Sequence, residues 1–355
     1  MIKNLQKIKI IAEIGVNHNG SIPLAKKLIK IAKHSGADFV KFQNWKAERL
    51  VTSNAEMANY QKINTKKKFK QIQLLKPLEL KDKDYFNLIK YCKKNSIQFL
   101  SSPFDEVSYK FLTNKLKCKI IKIPSGEINN FLLLREINLN KHKIFLSTGM
   151  STISEIANCI NFIAKSNIYC IYKNKVKIKS KSKLNFLKKK IIIMHCVTDY
   201  PVQDNYANLK AIKTIKDAFK LPVGYSDHTD GVIAPVIAAS FGAELIEKHL
   251  TINQTLKGPD HKASLNPTQF KLMVNNLRTF EKMLGNGIKS PQICEKKNMI
   301  VARKSIVAKK IIKRGETFTF KNITVKRPSG GKDPSQFFQF LGKTAKKNYS
   351  KDEKI

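Results

Sequence analysis

The stretch "LPVGYSDHTDGVIAPVIAASFGAELIEKH" at residues 221–249 holds two short apolar runs, LPVGYSD (221–227) and AELIEKH (243–249), spaced widely enough for a helix between them. Two strands joined by a helical crossover make a parallel βαβ unit, and a histidine stands at the end of each, at 228 and at 249. The same alternation runs back toward the start of the chain. Further strand candidates are IKIIAEIG (8–15), DFVKFQ (38–43), IQFLSS (97–102), KIIKIPS (119–125), KIFLST (143–148) and IIIMHC (191–196). Helix-like patterns lie between them, among them PLAKKLIKIAKHSG, which has proline in its first turn and closes on glycine. Others are LKDKDYFNLIKYCKKN, TISEIANCINFIAK and TQFKLMVNNLRTF. Eight strands, each followed by a helix, predict an α/β fold of the (β/α)8 barrel type over residues 1–285. A doubly wound open sheet would want a G-x-G-x-x-G first turn, and EIGVNHNG (13–20) lacks that spacing.

Past the barrel, a linker is expected over 286–300, beginning in GNGIKSP, and a small, mostly β domain over 301–355. Its strand-like pieces are RKSIVAKK and ITVKRP, with turns at KRGE and PSGG. A module of about 50 residues is marginal alone, so it is expected to pack on something.

The 355 residues carry a formal charge of +41, which points first to nucleic acid or an anionic membrane. Yet only six of the 67 basic residues are arginine, the side chain favoured for bidentate base contacts, and no DNA- or RNA-binding motif is present. The lysines read as solvated faces, densest in YKNKVKIKSKSKLNFLKKK (172–190), expected to be an exposed insertion. No apolar run reaches the ~18–20 residues of a membrane span, and no secretory cleavage site follows the N-terminus. Six scattered cysteines without C-x-x-C pairing suit reduced thiols in the cytoplasm. Neither a nucleic-acid nor a membrane partner is expected.

In such barrels the active site lies at the C-terminal ends of the strands. Those ends here carry Glu13, Lys41, Gln43, Ser101, Ser102, Lys122, Ser125, Glu127, Ser147, Thr148, His195, Ser226, Asp227, His228, Glu247 and His249. Small neutral residues would suffice merely to begin loops, so two lysines, three glutamates and three histidines argue for chemistry. Lys41 in FVKFQ and Lys122 in IIKIP sit among apolar residues, where a cation needs an anionic partner. They read as two cations converging on a phosphate or carboxylate, with Ser102, Ser125 and Ser226 as hydroxyl donors. His228 and His249 are either satisfied core histidines or a metal pair. Strands seven and eight lie ~4.8 Å apart, close enough for an open Lewis-acid site, with Asp227 as its orienter.

Several stretches together resemble the sialic acid synthase family, the phosphoenolpyruvate-dependent nonulosonic acid synthases. They are IAEIGVNHNGS, GADFVKFQ, SSPFD, KIPSGEINN, LSTGMST, MHCVTDYPV, VGYSDHT, IEKHLT, GPDHKASLNP and, in the tail, RKSIVA, IKRGE and VKRP. They run in order along almost the whole chain, leaving out the basic stretch 172–190. The resemblance implies a (β/α)8 barrel followed by an antifreeze-like (SAF) domain. It implies condensation of phosphoenolpyruvate with an open-chain N-acyl hexosamine, giving a nine-carbon 2-keto acid and phosphate. By that likeness Lys41, Ser102, Lys122, Ser125, Thr198, Tyr200 and Ser226 hold phosphoenolpyruvate, while Gln43 and Asp260 contact the sugar. Arg327 reaches the sugar from the other subunit of a domain-swapped homodimer. His228 and His249 bind a divalent metal, usually Mn²⁺, with Mg²⁺ or Co²⁺ as alternatives. Glu13, Glu127 and His249 are the implied catalytic groups, Glu127 handling the attacking water. Three departures stand out: Ser102 where threonine is frequent, Thr198 where some members have asparagine, and KRPSGG in place of a Gly-Asn-Gly tail pattern.

The sugar stays open between the N-acetylneuraminate and N,N'-diacetyllegionaminate precursors, with pseudaminate a weaker third. A synthase for sugar phosphates would want clustered arginines, and Arg49, Arg135 and Arg278 are scattered. The non-enzyme alternative is a basic polyanion-binding protein.

Overall fold

A computed structural model describes residues 7–65, 69–173 and 175–355. The chain divides into two compact units, Met1–Gly285 and Asn286–Ile355.

In the first unit eight parallel strands form one sheet: β1 (Lys9–Glu13), β2 (Phe39–Asn44), β3 (Gln98–Pro103), β4 (Ile120–Ile123), β5 (Lys143–Ser147), β6 (Ile191–His195), β7 (Val223–Asp227) and β8 (Ala243–His249). Their order is β3-β2-β1-β8-β7-β6-β5-β4, and β3 lies beside β4, so the sheet curls into a near-closed barrel. Each strand falls within two residues of its expected limits. The signal is strong because strands covered on both faces are apolar almost throughout.

Helices pack outside. Ile22–His34 shows why the sequence folds this way: Ser21 caps its first turn, Pro23 fits there without losing a bond, and Ala25, Leu28, Ile29 and Ala32 form one buried stripe. Burying Leu28 and Ile29 is worth about 1.5–3 kcal/mol each. The chain leaves the helix through Gly36 at φ +93°, a conformation that favours glycine.

Inside the barrel, Ile11, Phe39, Leu100, Phe145, Ile192, Met194 and Leu245 form an apolar plug. Side chains alternate along a strand, so every second residue above the plug also points inward. This places Glu13, Lys41, Gln43, Ser102, Lys122, Ser147, Cys196, Ser226, His228, Glu247 and His249 at the mouth. It also corrects one expectation. His195 is of the opposite parity, stacks on Tyr225 and meets the Ala207 carbonyl at 3.0 Å, away from the mouth. Ser101 and Thr148 share that outward parity, and Thr148 bonds to the Met194 carbonyl.

The basic stretch 172–190 is not one exposed insertion; residue 174 lies outside the described residues. A hairpin of Tyr169–Tyr172 and Lys175–Ile178 leads into a helix, Lys181–Lys190. Leu184 and Leu187 bury that helix on the barrel core, so only its lysine face is solvated.

In the second unit Ser305–Ala308 pairs antiparallel with Ile323–Lys326, and Ile306, Ala308, Ile312, Phe318, Ile323 and Ala345 make a separate small core. The expected linker over 286–300 is shorter than foreseen, because Lys296–Ala302 forms a helix.

Candidate active site

At the C-terminal mouth lies a cavity of about 330 Å³. Its floor is a buried charge cluster. Lys41 Nζ lies 2.8 Å from Glu13 Oε2 and 3.3 Å from Glu247 Oε1. Lys122 Nζ reaches the same Glu247 oxygen at 2.5 Å and donates to Ser226 Oγ at 3.2 Å, while Ser226 donates to Glu247 at 3.0 Å. Register explains the convergence: Glu13 pairs with Lys41 across β1–β2, and Ser226 with Glu247 across β7–β8.

Charge follows from these contacts. Burial opposes ionisation of Glu247, yet Lys122 and Lys41 overcome it and hold its carboxyl down at about 2. Burial likewise opposes the Lys41 cation, but Glu13 and Glu247 raise it above an ordinary lysine. Lys122 is lowered instead, by burial and by Lys41, against the pull of Glu247. Glu13 is raised, chiefly by burial; it stands behind Lys41 and Gln43 and does not itself line the cavity. Gln43 Nε2 donates to its Oε1 at 3.1 Å.

Among the described residues Ser102 Oγ, Thr198 Oγ1 and Glu247 Oε2 are buried without a hydrogen-bond partner. Unpaired buried polar groups are costly, and the two free hydroxyls of Ser102 and Thr198 beside two ammonium groups mark a place for a polar, anionic ligand, whereas the Glu247 oxygen can only accept. Ser125 closes one side of this cradle. Its Oγ accepts from Gly149 N at 2.9 Å and lies 3.0 Å from Cys196 Sγ. A Cβ at Gly149 would stand 2.4 Å from Thr198 Oγ1 and 2.9 Å from Ser125 Oγ, so glycine keeps the cradle open.

The two histidines meet beside the lysines, ring centroids 5.5 Å apart. His228 Nδ1 contacts the Val197 carbonyl at 2.6 Å, which fixes the ring and leaves Nε2 as the free nitrogen. Burial pushes His228 down to about 4 and His249 well below the usual histidine range, so both rings are neutral and present lone pairs. Among the described residues no three His, Cys, Asp or Glu side chains group to enclose an ion by themselves. Two neutral imidazoles therefore fit an open site whose remaining ligands are water or substrate. Asp227 does not orient the rings by a direct hydrogen bond, because its oxygens are taken by Tyr225, Thr229 and Lys248. Tyr200 stacks on His228 at 4.2 Å, and Tyr60 on Tyr200 at 4.9 Å. Asp260, 3.7 Å from His249 Nδ1, is raised to about 7 by burial and by Glu13; with the imidazole neutral this is no ion pair.

Glu127 is half-buried on the opposite wall. Burial raises its carboxyl, and Asn130 holds one oxygen at 2.6 Å. Beyond it the wall turns apolar: Val16, Trp45, Leu50, Val51, Leu75 and Phe104 line the cavity beside Gln61 and Gln71. Most of this wall comes from the long connection after β2, where Ala47–Leu50, Asn59–Thr65 and Gln71–Leu75 are short helices. Arg327 lies exposed in the second unit.

The cavity thus brings together Lys41, Gln43, Ser102, Lys122, Ser125, Glu127, Ser147, Thr198, Tyr200, Ser226, His228, Glu247, His249 and Asp260, while Glu13 stands one layer below and Ser101, Thr148, His195 and Asp227 do not line it. The strand-end pattern included Glu247 without giving it a specific role, although its parity with His249 was a usable signal. It missed Tyr60, Gln61, Trp45 and Val51 outright, since short irregular helices leave no period to read.

The NeuB family matches residues 28–289. The N,N'-diacetyllegionaminic acid synthase of Campylobacter jejuni is 46% identical over 99% of both chains. A protein of the same description from Legionella pneumophila is 39% identical over 96% of this chain and 91% of its own. Among solved structures, the N-acetylneuraminic acid synthetase of Leptospira borgpetersenii has a TM-score of 0.68 at 31% identity, over 84% of this chain and 92% of its own.

Proposed function

The chain belongs to the NeuB family, and from that premise we propose that its barrel condenses phosphoenolpyruvate with an open-chain N-acyl hexosamine, giving a nine-carbon 2-keto acid and phosphate. The observation that carries this reading is the cradle itself: Lys41 and Lys122 beside the unpartnered hydroxyls of Ser102 and Thr198. Phosphoenolpyruvate is trianionic, and the two ammonium groups and four hydroxyls (Ser102, Ser125, Thr198, Ser226) would hold it and fix its enol carbon toward the histidines. His228 and His249 would hold a divalent metal, Mn²⁺ before Mg²⁺ or Co²⁺, which supplies Lewis-acid polarisation of an aldehyde oxygen. The enol carbon then attacks the aldehyde carbon. Water adds to the carbon bearing the phosphate ester, and C–O cleavage expels phosphate. Glu127, whose burial makes it a stronger base, would take the proton from that water. Asp260, poised near 7, would bind the sugar and exchange a proton with it. Glu13 acts through Lys41, which it holds in place.

The sugar is the precursor of an N,N'-diacetyllegionaminate-type acid, a 2,4-diacetamido-trideoxyhexose. The relatives at 46% and 39% identity support this choice over N-acetylmannosamine. So does the apolar wall, which suits a methyl in place of a hydroxymethyl and the methyls of two acetamido groups, with Gln61 and Gln71 for the amides. A sugar phosphate is disfavoured. Lys41 and Lys122 are the only cations among the described residues lining the cavity, and Arg49, Arg135 and Arg278 are bound to Asp105, Glu136 and Glu281. The second unit would act as an antifreeze-like domain, with Arg327 meeting the sugar of the other subunit in a domain-swapped homodimer. Six free cysteines support a cytoplasmic setting.

The test is phosphate release from phosphoenolpyruvate with a panel of N-acyl hexosamines, with and without Mn²⁺. The diacetamido-trideoxy sugar is expected to exceed N-acetylmannosamine in kcat/KM by about 10-fold or more. No release with any sugar overturns the assignment.

A further inference from the structure

Directly behind the two histidines, on the outer face of β7 and β8, lies an ion pair that the chemistry above does not use. Lys248 Nζ reaches Asp227 Oδ2 at 2.6 Å, and both side chains are 0% exposed. The same ammonium donates to the Thr229 carbonyl. Asp227 Oδ1 accepts from Thr229 N at 2.9 Å, Thr229 Oγ1 at 2.8 Å and the Tyr225 hydroxyl at 3.1 Å. Oδ1 thus closes the turn 227–229 on itself, while Oδ2 and the Thr229 carbonyl tie that turn to Lys248 on β8. Asp227 and Lys248 are also opposite each other in the β7–β8 register.

Such a pair is a poor device for stability alone. Its desolvation cost is several kcal/mol per ion, and apolar replacements in comparable places are often neutral or stabilising. What it does fix is geometry. Asp227 lies between Ser226 and His228 in the chain, and Lys248 between Glu247 and His249, so the inward residue on either side of each partner belongs to the mouth. Clamping Asp227, Thr229 and Lys248 together sets the rise of the turn that carries His228 relative to the strand that carries His249. On the inner face His228 has its Nδ1 contact with Val197, the bond from Val202 N to its carbonyl and the stacked Tyr200 ring, which also meets His249 edge-on; neither of those hydrogen bonds joins His228 to β8.

We propose that Lys248 and Asp227 are positioning residues that set the spacing of the His228 and His249 imidazoles for a divalent metal. This rests on the metal role assigned to those histidines. The test is Mn²⁺ binding, read from the free-ion paramagnetic resonance signal, in wild type and in the charge-neutral double variant D227N/K248M. Thermal midpoint and phosphoenolpyruvate affinity are measured alongside. The double variant is expected to fold and to keep its phosphoenolpyruvate affinity within about two-fold, while its Mn²⁺ dissociation constant rises about 10–100-fold, the range for groups that orient metal ligands. Wild-type Mn²⁺ affinity in the folded double variant overturns the proposal. If the double variant does not fold, T229A, which removes one donor to Asp227, is expected to weaken Mn²⁺ several-fold; unchanged affinity there overturns it equally. Failure of the wild type itself to bind Mn²⁺ would instead remove the metal role of the histidines, and with it the basis of the clamp.

Discussion

Replacing Glu247 with glutamine (E247Q) deletes one negative charge from the centre of the lysine cluster while hardly changing its shape. Lys41 keeps Glu13 at 2.8 Å, but Lys122 loses the carboxylate that it meets at 2.5 Å. Both members of that pair are nearly inaccessible, at 4% and 2% exposure, so water reaching Lys122 from the cavity replaces the carboxylate poorly. Removing one partner of a buried pair costs about 3–5 kcal/mol. Deprotonation of Lys122, already more acidic than an ordinary lysine, caps the loss, which argues for the lower end, ~3 kcal/mol. At about 2–4 °C per kcal/mol the unliganded midpoint should fall by roughly 6–12 °C. Bound phosphoenolpyruvate brings its own anion to Lys122, so saturating ligand without sugar should narrow the gap between variant and wild type. Thermal denaturation followed by circular dichroism, with and without phosphoenolpyruvate, reads both effects. An E247Q midpoint within about 1 °C of wild type would show that this carboxylate does not hold the lysines. A gap unchanged at saturating phosphoenolpyruvate would show that the anion lands elsewhere.

Glu127→Gln should lower turnover about 10²–10⁴-fold with the thermal shift from phosphoenolpyruvate preserved; near-normal turnover would remove Glu127 from the water step. Asp260 gives a pH signature. Its folded pKa of about 7 lies above the ordinary value near 3.9, so between about pH 4 and 7 the folded state keeps a proton that the unfolded state has lost. Stability contributed by Asp260 is therefore complete below about pH 4 and lost as pH rises through 7. D260N should gain on wild type across that window, by an order of ~4 kcal/mol at the plateau, in denaturant midpoints. A difference independent of pH would refute the raised pKa.

The strands were legible because a barrel strand is apolar on both faces, and eight such runs separated by helix patterns leave few architectures. Most of the site was legible for the same reason. Once β7 and β8 are fixed, Ser226, His228, Glu247 and His249 fall inward by parity alone, as His195 falls outward. The connection from 45 to 78 was opaque. Its helices of four to seven residues are shorter than the period that would reveal them, and tertiary contacts hold them instead. Lys248 was equally hidden, since nothing local separates a fully buried lysine from the many solvated ones in this chain.

The sequence by itself determined the barrel, the order of its strands and the chemical character of its mouth, because alternation and apolar run length are local properties of the chain. Only the tertiary structure decided which charges meet: that Glu247 serves both lysines, that Asp227 turns away from the histidines toward Lys248, and that an apolar wall faces the cationic cradle. Those pairings join residues far apart in sequence, and the closing of the barrel is what sets their distances.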